Sequence, residues 1–287
     1  DHPDLAITLA NLGIALGRQG QLDEALAHMR RGVALLERAL GPNHPDVANA
    51  LDGMGGVLWS KGELADALAC FQRALAIREQ VLGPDHPAVA TVLINVGNVL
   101  SEQGELSEAL GHYQRALAIL ERASGQDHAS LGSPLNNIGT LLRMQGKRAE
   151  GLTYLQRALA IKERTLGADH ASVGSTLTEI GTVLREQGQP SEASSRYQRA
   201  LAIFERALGE GHPQLAGPLV GLAAVALEQR DFDAARAHAE RAVSICEARH
   251  VAPDLLAEAR FALARSLWSD RAERARAHAL AEQARSA

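Results

Sequence analysis

Histidines recur along the chain at one fixed interval. Each stands 42 residues after the one before it, in the series His2, His44, His86, His128, His170 and His212. Histidine is a common zinc ligand, but the ligands of one zinc ion all lie about 2 Å from it, whereas equivalent atoms in successive packed helical layers stand about 10 Å apart. We therefore interpret the series as helix caps and linker residues, and we predict no metal site.

The familiar catalytic motifs are missing from the sequence. There is no His-Glu-x-x-His and no Cys-x-x-Cys, and Gly146-Lys147-Arg148 lacks both the following Ser/Thr and the earlier glycine of a phosphate-binding loop. Serine, histidine and aspartate are abundant, but nothing in their spacing concentrates them in one pocket. We predict that the protein is not an enzyme, has no catalytic residues and needs no cofactor.

Composition narrows the classes of partner. The 287 residues carry 29 Lys+Arg against 34 Asp+Glu, a net charge of −5, and no basic block. This balance argues against nucleic acid and against an anionic membrane as a partner. No apolar run approaches the ~18 residues of a membrane-spanning helix, and no signal-peptide pattern opens the chain. With only two cysteines, Cys70 and Cys246, we predict a cytoplasmic location.

The 42-residue interval organises almost the whole chain. Glycines repeat at the same interval in two series, one beginning at Gly13 and one at Gly20. Six full repeats therefore cover residues 1–249, and a shorter, degenerate helix pair over residues 250–287 is expected to cap them. Because Asp1 is not a methionine and lies inside the motif, we expect the chain to be an excised piece of a longer protein.

Each repeat reads as a pair of helices. In the third repeat, apolar residues spaced three and four apart form two stripes, from Val89 to Leu100 and from Leu106 to Leu120. The Gly20 series falls between the stripes, where a glycine in the left-handed conformation ends a helix, and Arg230 should cost about 1 kcal/mol there. Pro134 and Pro218 should delay or kink their helices. The pattern predicts an all-α solenoid of antiparallel helix pairs.

These residues resemble a known family. Leu93, Val96, Gly97, Leu100, Ala109, Tyr113 and Ala116 follow the tetratricopeptide repeat pattern, and the Gly83-Pro84-Asp85-His86-Pro87 linker is similar to the kinesin light chain subtype. The tail over residues 257–268 resembles the end of arrays attached to bacterial serine/threonine protein kinases. The resemblance implies a right-handed superhelix whose first helices line a concave groove. It also implies that groove asparagines hold cargo peptides.

Polar residues on the groove stripe are the candidate site. A carboxamide carries both donors and acceptors, so stacked asparagines can pair with the main chain of an extended peptide. Gly53, Glu179 and Gly221 replace asparagine in three repeats, so the grip should centre on repeats three to five. The predicted peptide-binding residues are Asn95, Asn98, Asn136, Asn137, Thr140, Arg143, Thr178, Thr182, Arg185 and Trp59.

Two interpretations stay open for the charged and aromatic members of this set. Arg143 and Arg185 lie one repeat apart, so they either clamp acidic groups of a ligand or pair internally with Glu186 and Glu228. Trp59 either anchors an apolar side chain of a partner or packs within the array.

The sequence predicts a non-enzymatic scaffold that holds an extended peptide, as the recruiting or sensing arm of a larger bacterial signalling protein. The alternative is a self-association module that brings attached domains together. A homodimer through the C-terminal helix pair would follow if Leu255, Phe261 and Leu267 were left uncovered.

Overall fold

The computed structural model describes residues 3–249 and 253–285, and within these ranges it contains fourteen α-helices and two short 3-10 helices. The predicted all-α fold is confirmed. The α-helices are α1 (Pro3–Arg18), α2 (Leu22–Leu40), α3 (Pro45–Lys61), α4 (Leu64–Leu82), α5 (Pro87–Glu102), α6 (Leu106–Ser124), α7 (Gly132–Met144), α8 (Arg148–Leu166), α9 (Ala171–Glu186), α10 (Pro190–Leu208), α11 (Ala216–Glu228), α12 (Phe232–Arg249), α13 (Pro253–Leu267) and α14 (Arg274–Arg285).

The helices form two compact units, an N-terminal unit of residues 1–141 and a C-terminal unit of residues 142–287. In the N-terminal unit, α1 packs on α2, α3 on α4 and α5 on α6, while α2 and α4 each also pack on the first helix of the next repeat. In the C-terminal unit, α9 with α10, α11 with α12 and α13 with α14 repeat this arrangement. Each unit is therefore a stack of helical hairpins. The proposed boundary between residues 249 and 250 remains a prediction.

Histidine caps the first helix of each repeat in which it is described. His44, His86, His128, His170 and His212 have extended backbones and accept the N–H of the residue two positions later at Nδ1. The distance is 3.1 Å for His86 and 3.2 Å for His44. The capping interpretation is thus confirmed for these five, and His2 lies outside the described residues.

The turn between the two helices of a repeat requires a positive φ. Gly62 ends α3 at φ 82°, and Gly20, Gly104 and Gly188 adopt similar values. In the sixth repeat the position is occupied by Arg230 at φ 61°, the single positive-φ residue other than glycine among the described residues. The left-handed conformation predicted for this position is present, and its cost of about 1 kcal/mol remains a prediction.

Proline alters the start of two first helices, as predicted. A 3-10 helix over Ala129–Leu131 precedes α7, and another over Pro213–Leu215 precedes α11. Proline has no N–H, and its ring excludes the carbonyl four residues earlier, so Pro134 and Pro218 prevent the α-helix from starting directly at the histidine. Both α-helices are consequently only 13 residues long.

The Gly13 series lets the two helices of a repeat approach closely. A Cβ atom on Gly97 would lie 2.6 Å from Tyr113 Cε1, and one on Gly181 would lie 2.7 Å from Tyr197 Cε1. Both tyrosines are buried. The flat ring therefore takes the space that a side chain would fill, and glycine is required by packing.

Arginines join successive second helices, a role the sequence analysis did not assign. Within each compact unit an arginine pairs with a glutamate 36 residues earlier, as Arg115 does with Glu79 at 2.6 Å and Arg199 with Glu163 at 2.6 Å. These pairs are partly exposed, so each is worth about 0–1 kcal/mol. Their periodicity was visible in the sequence.

Candidate functional site

Asparagines on α5 and α7 form a hydrogen-bonded cluster in the N-terminal unit. Asn98 Oδ1 accepts two bonds, from Tyr113 Oη at 2.7 Å and from Asn137 Nδ2 at 3.0 Å. Burial raises the pKa of Tyr113, so its hydroxyl stays protonated and acts as a donor. With Oδ1 occupied, Asn98 has its amide N–H groups to offer a ligand, whereas Asn137 has its carbonyl oxygen.

Asn95 belongs to a second, charged cluster of the same unit. Its Nδ2 donates to Asp52 Oδ1 at 2.9 Å, while Asp52 Oδ2 accepts from Arg78 Nη2 at 3.0 Å. Arg78 Nη1 also donates to the carbonyl of Ala88 at 3.1 Å, which fixes the guanidinium between α3 and α5. Asn95 is thereby held with its own carbonyl oxygen as the acceptor it can present to a ligand.

Asp52 and Arg78 were not among the residues predicted from the sequence, although their repeat positions carried a signal. Arg78 occupies the repeat position that holds Leu36 and Leu120, and Asp52 the position that holds Ile94. The counterparts of Asp52 in the other repeats are all uncharged, and four of the five counterparts of Arg78 are apolar. A charge at such a position needs a partner when it is buried. Two such exceptions in one repeat predict an ion pair.

Two further predicted peptide-binding residues, Asn136 and Thr140, lie on α7. Asn136 and Thr140 are both half-buried. Half-burial leaves part of each side chain accessible to a ligand.

Threonines of α9 occupy the corresponding face of the C-terminal unit. Thr178 Oγ1 donates to the carbonyl of Gly174 at 3.0 Å, and Thr182 Oγ1 donates to the carbonyl of Thr178 at 3.1 Å. Thr182 Oγ1 also accepts from Tyr197 Oη at 3.0 Å. Both hydroxyl protons are therefore used within the protein, and the two threonines present acceptors to any ligand.

The two arginines are paired internally. Arg143 Nη1 donates to Glu186 Oε1 at 2.9 Å, and Arg185 Nη1 donates to Glu228 Oε1 at 3.0 Å. Arg148 shares Glu186 through its Nε at 3.0 Å. The sequence left open whether these arginines bind acidic groups of a ligand or pair with Glu186 and Glu228. In the structure they pair with the two glutamates.

Each of these two arginines still has an unused donor. The Nε atoms of Arg143 and Arg185 are buried and make no hydrogen bond, although Arg143 Nε lies 3.7 Å from Glu179 Oε2 in an ion pair. A buried donor without an acceptor costs about 1–3 kcal/mol. An acceptor on a ligand that displaced the glutamates would therefore meet guanidinium groups with unsatisfied N–H groups.

A pocket of about 420 Å³ opens beside these residues in the C-terminal unit. One wall is polar and comes from the end of α7 and from α9, with Arg143, Thr178, Thr182 and Arg185 among its residues. The other wall is mainly apolar and comes from α11 and α13. Its lining residues include Gly217, Val220, Gly221, Ala224, Leu227, Leu255 and Phe261.

Four of the predicted residues therefore line one pocket, and the sequence analysis did not anticipate its apolar wall. Phe261 lies at this wall with 53% of its surface exposed, and its ring is 6.0 Å from the Arg265 guanidinium carbon. From the sequence, Phe261 was expected only as one of three residues that the C-terminal helix pair leaves uncovered if the chain dimerises. Its place in the pocket depends on the packing of α13 against α11.

Trp59 lies in the last turn of α3 and is half-buried. It lines none of the pockets described in the N-terminal unit, although its neighbours Val57 and Ser60 line one of about 260 Å³. The role of Trp59 as an anchor for a ligand stays a prediction.

The C-terminal helix pair covers only part of its apolar surface. Leu267 is buried and Leu255 is half-buried, whereas Phe261 and Trp268 are each more than half exposed. The C-terminal helix pair therefore buries some of its apolar residues and leaves others exposed to solvent.

The described residues were also searched for metal sites, reactive cysteines and membrane-spanning helices. No group of three or more His, Cys, Asp or Glu residues is arranged to hold a metal ion within residues 3–249 and 253–285. Cys70 and Cys246 are buried free thiols, and burial raises the pKa of each. None of the described helices combines the length and apolar character needed to cross a bilayer.

Comparison with known proteins identifies the family. The tetratricopeptide repeat model matches residues 4–79, 46–122, 130–206 and 192–248. The chain therefore belongs to the tetratricopeptide repeat family, whose members are scaffolds typical of protein–protein interaction. No curated protein matches the chain significantly.

Solved structures with the same fold include two kinesin light chain-like proteins. The tetratricopeptide-like repeats of a Podosopora anserina kinesin light chain are 20% identical, with a TM-score of 0.61 over 72% of this chain and 99% of that one. BtubC (BKLC) from P. vanneervenii is 19% identical, with a TM-score of 0.62 over 88% of this chain and 94% of that one. A Rap protein complexed with Competence and Sporulation Factor is 16% identical, with a TM-score of 0.63 over 99% and 93%.

Proposed function

We propose that the chain is a non-enzymatic scaffold that binds an extended peptide segment of a partner protein through the exposed faces of its first helices. The observation that carries the proposal is the pocket of about 420 Å³ in the C-terminal unit, with a polar wall on one side and an apolar wall on the other. An extended peptide presents main-chain polar groups together with apolar side chains, so both walls would be used.

The polar groups on offer suit a peptide main chain. In the N-terminal unit, internal bonds leave Asn95 and Asn137 with carbonyl oxygens and Asn98 with its amide N–H groups. An extended main chain alternates N–H and C=O groups, so it matches a mixture of acceptors and donors. Because these side chains are already positioned by their partners, less conformational entropy is lost when a peptide binds.

The wider biological setting is also part of the proposal. The Rap protein complexed with Competence and Sporulation Factor has the same fold, which supports ligand binding by stacked repeats. The resemblance of residues 257–268 to the tails of kinase-attached arrays supports a role as the recruiting or sensing arm of a larger bacterial signalling protein. We expect a cytoplasmic location and a protein or peptide partner.

Gly217 offers a clean way to close the pocket. It lines the pocket, and a Cβ atom there would meet only Thr178 Cγ2, at an ordinary contact distance of 3.5 Å. A leucine at this position would therefore extend into open space without disturbing the core. Gly111 is the matched control, because a Cβ there meets nothing within 4 Å and the residue is exposed on α6.

The test is a random peptide library selected on the immobilised full chain, followed by affinity measurement of the selected peptides by fluorescence anisotropy. We expect Gly217→Leu to weaken binding at least tenfold and Gly111→Leu to leave it unchanged. Two double variants then show which helices a given peptide contacts. Asn95→Ala/Asn137→Ala tests the N-terminal unit, and Thr178→Val/Thr182→Val tests the C-terminal unit. Selected peptides that bind the Gly217→Leu variant as tightly as the wild type would contradict the use of this pocket.

Self-association is the second candidate, and one observation favours it. Phe261 and Trp268 are exposed by 53% and 55% on or directly after α13. Phe261 lies within α13 and Trp268 directly follows its last residue, and exposed aromatic surface of this kind suits a symmetric contact. Sedimentation of the wild type and of Phe261→Ser/Trp268→Ser tests it. If the wild type is a dimer that this variant dissociates, and the peptide selection also fails, self-association replaces peptide binding as the proposed function.

A further inference from the structure

The pocket of the C-terminal unit extends along helix α11. This helix packs against both α9 and α13, and all three helices contribute residues to the pocket. The residues from α11 run from Gly217 to Leu227, which covers about 15 Å of helix at about 1.5 Å per residue. An extended chain rises about 3.3 Å per residue, so about four to five residues of a peptide would lie along this length.

Helix α13 borders the same length of the pocket with three exposed side chains of different chemistry. Glu258, Phe261 and Arg265 all line the pocket, and their spacing of three and four residues places them on one face of the helix. The apolar ring therefore lies between a carboxylate and a guanidinium. The two charged residues are seven positions apart, or about 10 Å along the helix axis, which corresponds to about three residues of an extended peptide.

The two charges of α13 differ from the other charges that line the pocket. Three arginines and three glutamates line it, and four of these six residues belong to the ion pairs of Arg143 and Arg185. Glu258 and Arg265 make no hydrogen bond or ion pair with any residue in the described ranges, although Arg265 contacts the Phe261 ring. Of the six, these two are therefore the charges that a ligand can pair with at no cost to an internal ion pair.

A ligand that fills the pocket removes water from both charges. Loss of hydration around a charge is unfavourable unless an opposite charge or a hydrogen bond replaces the water. A peptide with matching charges gains charge-assisted hydrogen bonds, whereas one without them leaves Glu258 and Arg265 unpaired. Such a penalty discriminates between peptides of equal length and equal apolar content.

The floor of the pocket leaves room for an apolar side chain beside Phe261. Gly217, Gly221 and Ala224 of α11 line this floor, and none of them has a side chain larger than a methyl group. Phe261 itself is 53% exposed, so a ligand that packs on its ring removes apolar surface from water. An apolar residue between two charged ones would therefore match the face of α13.

We propose that this pocket selects peptide segments that carry a basic residue and an acidic residue on either side of a bulky apolar one. The basic residue pairs with Glu258, the apolar residue packs on Phe261, and the acidic residue pairs with Arg265. The two charges of the peptide are about three residues apart when the chain is extended. This inference rests on the proposed peptide-binding function and names the class of peptide that the C-terminal unit binds.

The test exchanges charges between the protein and a peptide from the library selection on the full chain. Glu258→Lys should weaken the binding of such a peptide at least tenfold, as measured by fluorescence anisotropy. Replacing the basic residue of the peptide by glutamate should restore most of the affinity for Glu258→Lys while weakening binding to the wild type. Arg265→Glu and a lysine in place of the acidic residue of the peptide should behave in the same way.

Two charge reversals away from the pocket are the controls. Glu192 on α10 and Arg274 on α14 are exposed and do not line the pocket. Glu192→Lys and Arg274→Glu should each change the affinity less than about twofold. Because Glu258 and Arg265 are exposed and outside the internal ion pairs, we expect their variants to unfold at the Tm of the wild type.

The outcomes separate this inference from the proposed function. Peptides whose binding is lost in Gly217→Leu but is unchanged by both charge reversals would overturn the inference and leave peptide binding intact. Weaker binding to Glu258→Lys that the reversed peptide does not restore would also overturn it, since the charge would then act without a direct pair. A selection that yields no peptide would remove the proposed function and this inference together.

Discussion

The ammonium nitrogen of Lys162 lies 2.8 Å from the hydroxyl oxygen of Thr176 in the interior of the C-terminal unit. Lys162 is only 7% exposed, at a repeat position that holds leucine in two other repeats. Burial lowers the pKa of its amine to about 8. The charged form is therefore destabilised in the folded protein, even though Thr176 accepts a hydrogen bond from it.

This pKa predicts a specific dependence of stability on pH. Between about pH 8 and the unfolded value near 10.5, the unfolded chain binds more protons at Lys162 than the folded chain, so stability rises with pH. Relative to Lys162→Met, we expect the free energy of unfolding of the wild type to increase by about 1–3 kcal/mol from pH 7 to pH 10. Urea denaturation of both proteins at each pH measures this difference. Parallel pH profiles for the two proteins would refute the assignment.

The ion pair between Asp52 and Arg78 should show strong coupling. Both side chains are less than 20% exposed, so Asp52→Ile would leave a nearly buried guanidinium without its carboxylate, at a cost of about 2–4 kcal/mol. The double variant Asp52→Ile/Arg78→Leu takes the residue types of other repeats and should recover most of this loss. Chemical denaturation of the two single variants and the double variant measures the coupling energy. Additive effects would mean that the pair contributes no specific interaction.

The approach of Tyr113 to Gly97 should make the glycine hard to replace. Gly97→Leu would place atoms inside the ring of Tyr113, and we expect it to destabilise the N-terminal unit by about 1–3 kcal/mol or more. Gly111→Leu, at an exposed helix position with no atoms near its Cβ, should be neutral or slightly stabilising. Equal Tm values for the two variants would exclude the proposed packing role. By the repeat pattern, Gly139→Leu should behave like Gly97→Leu.

Arg230 is held in a conformation that the other repeats assign to glycine. Arg230→Gly should remove left-handed strain of about 1–2 kcal/mol. The larger entropy of glycine in the unfolded chain offsets part of this gain, so we expect a net stabilisation of about 0.5–1 kcal/mol. Gln229→Gly, one residue earlier at φ −83°, should instead destabilise it. Thermal unfolding of both variants tests the prediction, which fails if the two substitutions change Tm in the same direction.

The glutamates that hold the arginines should regulate access to them. Glu186→Gln/Glu228→Gln weakens the pairs with Arg143 and Arg185, so acidic peptides from the library selection should bind about three- to tenfold more tightly. Lysine-containing analogues of the same peptides should gain nothing. Affinities measured at two salt concentrations distinguish the charge effect. Unchanged affinity for acidic peptides would assign the arginines a purely structural role.

Much of the fold was predictable because its determinants are local and repeated. The histidine caps, the positive-φ glycines and the 3-10 starts imposed by Pro134 and Pro218 each depend on a few neighbouring residues. Six copies of the same pattern made each of these signals stronger. The pairing of helices within each repeat could therefore be predicted from the sequence. The helix face on which Asn98, Thr182 and Arg185 lie could be predicted in the same way.

The sequence by itself determined the helices, their ends and which residues share a face, because these follow from backbone conformation and from a period of 3.6 residues. Only the tertiary structure decided which side chains meet. Asn95 bonds with Asp52, 43 residues away, and Arg143 bonds with Glu186 at the same separation. It also brought Phe261 to the pocket. Such contacts depend on how helices stack and on the rotamers that close packing permits, and spacing along the chain specifies neither.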